Sequence, residues 1–508
     1  MPESPVELIL KRHGPMLTSQ LSLHLQALYA ISAESARKQI SRRPSHVHTL
    51  AYLPFAKGAR FIYCVDDYGT ALFWNCLEKA LEESSKGYSL ALKSVRAREG
   101  IIPLRHFQIA CGSPKLLSKH LSADTILKRM QQAKLLHVLN IYGVGQCVTT
   151  SSDPSYVTLS IENLKARIVV EKLLLDSLKT WAKNLALGSF NKFQIRDEKA
   201  ENPFVGPFEW DMTSPSYLMG LTTQNDGKPS PGFFVCDLLL DGTINEKAVE
   251  PFIHKLKTIR NLHKIGRLFP IFVAEKYTRE AFQKLREVGA IPATPSALFG
   301  EEIADGLKML MHTLADTASH TKNPEKFDKL FSSLSKLEGA IQTMRGAFFE
   351  YIVADLLRKT IPNVIIKMNS VIIDNGKTAA EVDIILEAED YVSFIECKGL
   401  NPARVIPADL VKHWLDKLHT VRQWALTNRT WQGKTFKFEF WSTSRSGKQS
   451  SDLYEKAKRN TLKYELHLRD RNAISASMST LSDKHLRRVF EQHFLDYRIE
   501  DFPDTSHL

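Results

Sequence analysis

The stretch that most limits how this chain can fold is AAEVDIILEAEDYVSFIECKGL, residues 379–400. Two apolar runs of strand length flank the acidic turn AED, which predicts a β-hairpin. Side chains on a strand alternate faces. In the first strand Val382, Ile384 and Leu386 share one face, and Glu381, Asp383 and Ile385 the other. In the second, Ile395 and Cys397 share one face, and Phe394, Glu396 and Lys398 the other. Each strand thus keeps an apolar face for a core. Asp383 and Glu396 come within reach of a single cation, with Lys398 two residues beyond Glu396 on the same side.

Two carboxylates plus water suit a hard cation such as Mg²⁺. An ion so held can activate water and stabilise charge on a phosphodiester. A nearby lysine can orient or deprotonate that water, or stabilise the oxyanion. Before the hairpin, GAIQTMRGAFFEYIVADLLRKT predicts a helix carrying Glu350, able to reach the ion directly or through water, and VIIKMNSVII predicts a strand. After it come a helix, ADLVKHWLDKLHTVRQWALT, and a strand, FKFEFWSTS, giving the order αβββαβ. The alternative is a half-exposed hairpin with a cross-strand ion pair. It accounts for the charges but not for Glu350 or the element order.

The pattern VD, a hairpin, then ECK, with a helical acid upstream, resembles the PD-(D/E)xK (restriction-endonuclease-like) nuclease superfamily. The resemblance implies that Asp383 and Glu396 are metal ligands, with the backbone carbonyl of Cys397 as another. It implies that Lys398 is the catalytic lysine and that Glu350 is the acid of the first helix. Val382 stands where the eponymous proline would be, a position that is loose in the family. The implied cofactor is Mg²⁺ or Mn²⁺. By family analogy alone, a double-strand cut needs two active sites and hence a homodimer.

The chain has 508 residues and a net charge of +12, an excess that favours a polyanionic partner. Residues 5–64 predict three helices and a hairpin around Lys57–Gly58, a pattern that resembles the winged helix-turn-helix family. That resemblance places Arg37, Lys38, Arg42 and Arg43 on a groove-reading third helix, with Lys57 and Arg60 of the wing against phosphates. The bland alternative is a solvated helix face or a protein-interaction module. Downstream of the nuclease-like hairpin, Lys412, Lys417, Arg422, Arg429 and Lys434 alternate with Trp414, Trp424 and Trp431. The cations suit phosphates and exposed tryptophans would stack on bases, although Trp414 and Trp424 are expected in the core. Six scattered cysteines without a C-x-x-C pair fit a reducing compartment. No apolar run reaches about 18 residues, so the expectation is a cytoplasmic protein with no membrane segment.

The middle of the chain repeats the element order. EKLLLDSL at 171 compares with EYIVADLL at 350, and EWD at 209 with EVD at 381. If Asp237 stands for Glu396, Leu239 takes the lysine position. Two readings stay open: a degenerate nuclease-like copy, in which Glu171, Asp211 and Asp237 keep weak metal affinity, or an unrelated α/β domain.

The expected class is multidomain α/β with a mixed sheet. It comprises a winged helix (1–65), a helical connector (66–135), an α/β domain (136–315), a polar linker (316–339), a nuclease domain (340–470) and a helical tail (471–508). The leading function is a metal-dependent endonuclease acting on double-stranded DNA, with bacterial restriction or antiphage defence as the setting by fold analogy. The alternatives are a non-enzymatic DNA-binding regulator and an RNA-cleaving effector.

Overall fold

The computed structural model describes residues 4–495, apart from 56–57, 116, 118–119, 142, 226–227, 263–264, 316–329, 331–332, 335–336, 338–339, 375–376 and 482. The chain is a mixed α/β protein with several sheets. It divides into two units, Met1–Leu164 with Leu178–Leu298, and Lys165–Ser177 with Phe299–Leu508.

In the first unit, α1 (Pro5–His13) begins where the Ser4 side chain accepts the Glu7 N–H, and it stops at Gly14, whose φ of +80° suits glycine. After β1 (Met16–Leu17) come α2 (Thr18–Tyr29) and α3 (Ala33–Ser41). Ser32 caps α3 by accepting the Ser35 N–H, and Glu34 sits in its first turn, as the sequence predicts. The hairpin differs from expectation. Its strands are β2 (Val47–Thr49) and β3 (Phe61–Cys64), and β1 adds a third to give the order β1-β3-β2. Pro54 lacks a ladder donor. Leu50, Leu53 and Phe55 between the strands go into a core instead of alternating.

That core is larger than a connector would need. It runs from Leu17 through Phe61 and Phe73 to Leu92, Phe107, Ile126 and Val148. It gathers α4 (Ala71–Ser84), α5 (Lys86–Arg96), α6 (Leu104–Ala110) and α7 (Ala123–Gln132). Residues 66–135 also supply β4 (Ile101–Pro103), which pairs with β6 (Gly145–Thr149), itself paired with β5 (His137–Ile141). One core and one sheet therefore draw on both sides of the expected boundaries at 65/66 and 135/136.

The helix α8 (Pro154–Asn184) contributes residues to both units. A five-stranded sheet follows it in the first unit, in the order β11-β10-β9-β8-β7. These strands are β7 (Gln194–Ile195), β8 (Met212–Ser216), β9 (Gly232–Ile244), β10 (Leu268–Tyr277) and β11 (Ile291–Ala293). The first three pair antiparallel and the last three parallel. Parallel pairing needs a crossover, supplied by α9 (Glu246–Arg260) and α10 (Arg279–Glu287).

In the second unit, Leu330, Leu334 and Leu337 are buried. They lie in the stretch expected to be a polar linker. Leu330 and Leu334 are helical and Leu337 lies in a bend, and most of the rest of that stretch lies outside the described residues. Next come α11 (Ala340–Thr360), β12 (Ile365–Asp374), β13 (Lys377–Glu387), β14 (Tyr391–Lys398), α12 (Ala408–Thr427), β15 (Thr435–Ser442), α13 (Lys448–Arg459) and β16 (Glu465–Arg469). The sheet order is β12-β13-β14-β15-β16, again with three strands antiparallel and the last three parallel. The two five-stranded sheets share one topology, strand for strand and helix for helix.

The tail is helical at Arg471–Ser479 and Lys484–Phe490, then forms a π turn at Glu491–Leu495. Phe490 and Phe494 lie 6.5 and 6.3 Å, ring centre to ring centre, from Phe349 of α11. Residues 496–508 of the expected tail lie outside the described residues. Among the described residues no helix is long and apolar enough to cross a membrane.

Candidate active site

The β13–β14 ladder runs from Glu387↔Val392 to Ile384↔Ile395 and ends there. One step beyond, Asp383 faces Glu396. The backbone N–H of Cys397, left without a ladder partner on β13, donates to Asp383 Oδ2 at 2.7 Å. The aspartate thus caps the open end of the hairpin and is oriented by doing so. Lys398 Nζ lies 2.8 Å from Glu396 Oε1 and 3.5 Å from Asp383 Oδ2. The structure brings the three hairpin residues together.

The hairpin is not half-exposed. β14 is buried from Val392 to Cys397, on both faces. Phe394 and Val392 pack with Trp414 and Leu418 of α12, and α11 contacts β14 as well. The acids therefore stand in a covered sheet: the Asp383 and Glu396 side chains are 13% and 9% exposed, and Lys398, at the strand's end, 30%. Gly399 lets this end sit close against α11, because a Cβ there would stand 2.3 Å from the Arg345 carbonyl oxygen.

Burial raises the Asp383 carboxyl to about 6, helped by the Glu396 charge and opposed by Lys398 and the Cys397 N–H. Burial likewise pushes Glu350 up to about 8, with the Asp383 charge next and those of Lys398 and Lys165 opposing. Burial alone would lower Lys398, but the Asp383 and Glu396 charges outweigh it and hold the ammonium above its ordinary value. The Cys397 thiol is driven well up by burial. It is a buried core group here, and only its backbone is placed for chemistry.

One more cation converges on the site. Lys417 of α12 lies 3.4 Å from Glu396 Oε1, the oxygen that Lys398 holds. The sequence groups Lys417 with phosphate-facing cations, whereas the structure turns it inward. Its neighbours Trp414 and Leu418 belong to the buried stripe of α12, which marks the helix face but does not by itself turn the lysine inward.

Asp383 Oδ1 and Glu396 Oε2 have no hydrogen-bond or ion-pair partner among the described residues. Each acid has one oxygen fixed and one open, a donor set that fits a hard divalent ion. Glu350 feels their charge but does not join them in a cluster: no group of three His, Cys, Asp or Glu side chains at ligating separation occurs among the described residues.

The tryptophans are not stacking platforms. Trp414 and Trp431 are 3% and 2% exposed. Trp424 packs against Trp431 at 5.4 Å and against the same core. At the N-terminus Arg37, Arg42 and Arg60 are exposed. Lys38 is exposed but pairs with Glu34 at 2.8 Å. Arg43 is held by the hairpin, its Nε donating to the Val47 carbonyl at 3.0 Å and its Nη2 to Thr49 Oγ1 at 3.4 Å. Lys57 lies outside the described residues.

In the middle sheet, Asp211 and Asp237 occupy the places of Asp383 and Glu396. The β8–β9 ladder ends at Met212↔Cys236, and Asp211 Oδ2 accepts the Leu238 N–H at 2.7 Å. Glu171, the third acid of that expected set, groups with the other unit.

No family model matches the chain, and no curated protein does. Among solved structures it is similar to the structure of restriction endonuclease FokI, with 10% identity, a TM-score of 0.21, and 90% of this chain and 82% of that one covered. It is also similar to the structure of FokI bound to DNA, with 10% identity, a TM-score of 0.20, and 86% and 78% covered.

Proposed function

We propose that this protein is a metal-dependent nuclease that hydrolyses phosphodiester bonds of DNA, with its centre at Asp383, Glu396 and Lys398 on a restriction-endonuclease-like αβββαβ core. The observation that carries the reading is the division of the carboxylate oxygens. One on each acid is fixed by an N–H or ammonium, and the other is open at the end of a buried hairpin. A structural ion pair needs no such opening.

A bound Mg²⁺ or Mn²⁺ would supply Lewis-acid stabilisation of the phosphate and a more acidic water. The chain's own groups do the rest. Asp383 Oδ1 and Glu396 Oε2 would hold the ion, with the Cys397 carbonyl as a further donor. Glu350, protonated near neutrality without metal, would join through water. Lys398 keeps its charge across the physiological range. That suits stabilising the negative charge that develops on the phosphate better than taking a proton.

The N-terminal three helices and three-stranded sheet support a winged helix-turn-helix reading, with Arg37, Lys38, Arg42, Lys57 and Arg60 as phosphate contacts. Arg43 instead braces the hairpin.

The test is plasmid DNA incubated with and without Mg²⁺ or Mn²⁺, using wild type, Lys398→Ala and Asp383→Ala. Metal-dependent cutting lost in both variants is expected. Tight DNA binding without cutting by the wild type would instead favour a DNA-binding regulator, and cutting confined to RNA an RNA-cleaving effector.

A further inference from the structure

We infer that the five-stranded sheet of the first unit is a second copy of the one bearing Asp383, with its acid pair closed by the chain's own cations, so that each chain carries one metal centre and cuts one strand per engagement. The inference rests on the nuclease reading of the Asp383 site.

The copies correspond in order and register. Both run helix, three antiparallel strands, helix, parallel strand, helix, parallel strand. In both, the antiparallel ladder ends one step before two facing acids, and the first acid accepts the backbone N–H two positions beyond the last paired residue, at 2.7 Å in each. Asp211 therefore matches Asp383, Asp237 matches Glu396, and Leu239 stands where Lys398 does. Even the helix lysine recurs. Lys255 of α9 and Lys417 of α12 hold the same position counted from their helix starts, Glu246 and Ala408, and each reaches the second acid.

The difference lies in the oxygens. Asp211 Oδ1 takes the Arg196 guanidinium at 2.7 Å and its Oδ2 the Leu238 N–H. Asp237 Oδ1 takes the Asp211 N–H at 3.3 Å and its Oδ2 the Lys255 ammonium. All four are occupied. Lys255 also donates to the Glu209 and Ile109 carbonyls, at 2.9 and 3.3 Å, and lies 4.0 Å from the Trp210 ring centre. Asp211, Asp237, Arg196 and Lys255 are 2, 5, 6 and 1% exposed. A divalent ion entering here would have to displace two buried cations from the carboxylates that neutralise them. In the copy without a strand lysine, the shared helix lysine and Arg196 supply the positive charge that an ion would bring.

The full chain is titrated with Mn²⁺, followed by calorimetry and by the Mn²⁺ spin-resonance signal. The Asp383→Asn/Glu396→Gln double variant is expected to lose all specific Mn²⁺ binding. Asp211→Asn is expected to keep Mn²⁺ affinity and cutting rate while unfolding at a lower temperature. Should Asp211→Asn not fold, the double variant still decides: Mn²⁺ that it retains with the affinity of a specific site overturns the inference. With plasmid in excess over protein, open circles are expected to accumulate before linear DNA from a chain that sediments as a monomer; linear product without that intermediate from such a monomer also overturns it. A wild type that binds Mn²⁺ through Asp383 yet leaves DNA intact would sink the nuclease reading and leave the single centre standing.

Discussion

Lys417 Nζ stands 3.4 Å from Glu396 Oε1, sharing that oxygen with Lys398 at 2.8 Å. Two ammonium groups on one oxygen leave Glu396 Oε2 turned away from both. If Lys398 must also serve the phosphate, something else has to keep Glu396 in place, and Lys417 is so positioned. Lys417→Met is therefore expected to lower cutting by about 10- to 100-fold, the usual effect of removing a group that orients a metal ligand. Lys417→Arg should restore much of that rate, since the charge is kept. Single-turnover cleavage with a parallel Mn²⁺ titration checks this. Unchanged cutting in Lys417→Met would make the contact incidental.

Glu350 gives the metal-free protein a distinctive pH dependence. Its carboxyl titrates near 4.5 when unperturbed and is raised to about 8 in the fold, first by burial and then by the Asp383 charge. Between those values the folded chain binds the proton and the unfolded chain does not. Stability should therefore be full below about pH 4.5 and fall as pH rises through about 8. Asp383, raised to about 6, adds to the fall in the lower part of the window. Glu350→Gln should remove most of the slope and be the more stable protein at pH 8.5. Denaturant melts in chelator at several pH values measure it, and parallel curves for the two proteins would refute it. Added Mg²⁺ should restore wild-type stability at high pH, because the ion binds the folded state.

The hairpin was legible because alternation and turn chemistry are local. Asp383, Glu396 and Lys398 lie on one strand pair, so sequence spacing alone brings them together. The role of Lys417 was harder to see. A lysine beside an apolar stripe looks the same whether it points to solvent or into a neighbouring sheet, and only the placement of α12 over β14 decides. The tryptophans were easier: the apolar stripe of α12 puts Trp414 and Trp424 in the core, as expected, and Trp431 joins them there with Phe394 and Phe440. The helical stretch at 66–135 looked self-contained because a three-residue strand, Ile101–Pro103, carries too little pattern to be noticed. The Asp211 pair was visible, but its closure by Lys255 and Arg196 is tertiary.

The burial of Trp414 has a measurable consequence. Trp414 is 3% exposed, with its ring 5.5 Å from Phe440. Trp414→Ala should cost about 3–5 kcal/mol of stability, as for other large core truncations. Trp414→Phe should fold and bind DNA as the wild type does. Weakened DNA binding by a well-folded Trp414→Phe would place this residue at the interface instead.

The exposed cations of α3 and Arg42, which follows its last residue and caps it rather than lying on the helix as the sequence suggests, allow a test in which the magnitude, and not only the sign, is fixed. Each phosphate contact releases about 0.9 of a counterion on duplex DNA. Arg37→Ala and Arg42→Ala should each weaken binding across sequences and reduce the slope of log affinity against log salt by about 1. Lys38→Ala should change it less, because Glu34, 2.8 Å away, already screens that ammonium. Arg43→Ala should instead lower the unfolding temperature and leave the slope alone, since its guanidinium holds Val47 and Thr49 of the hairpin. Fluorescence anisotropy across a salt series, with a thermal melt of each variant, separates the two groups. If Arg42→Ala left the salt slope unchanged, α3 would not be the DNA-facing helix, and the charge excess would have to act elsewhere on the chain.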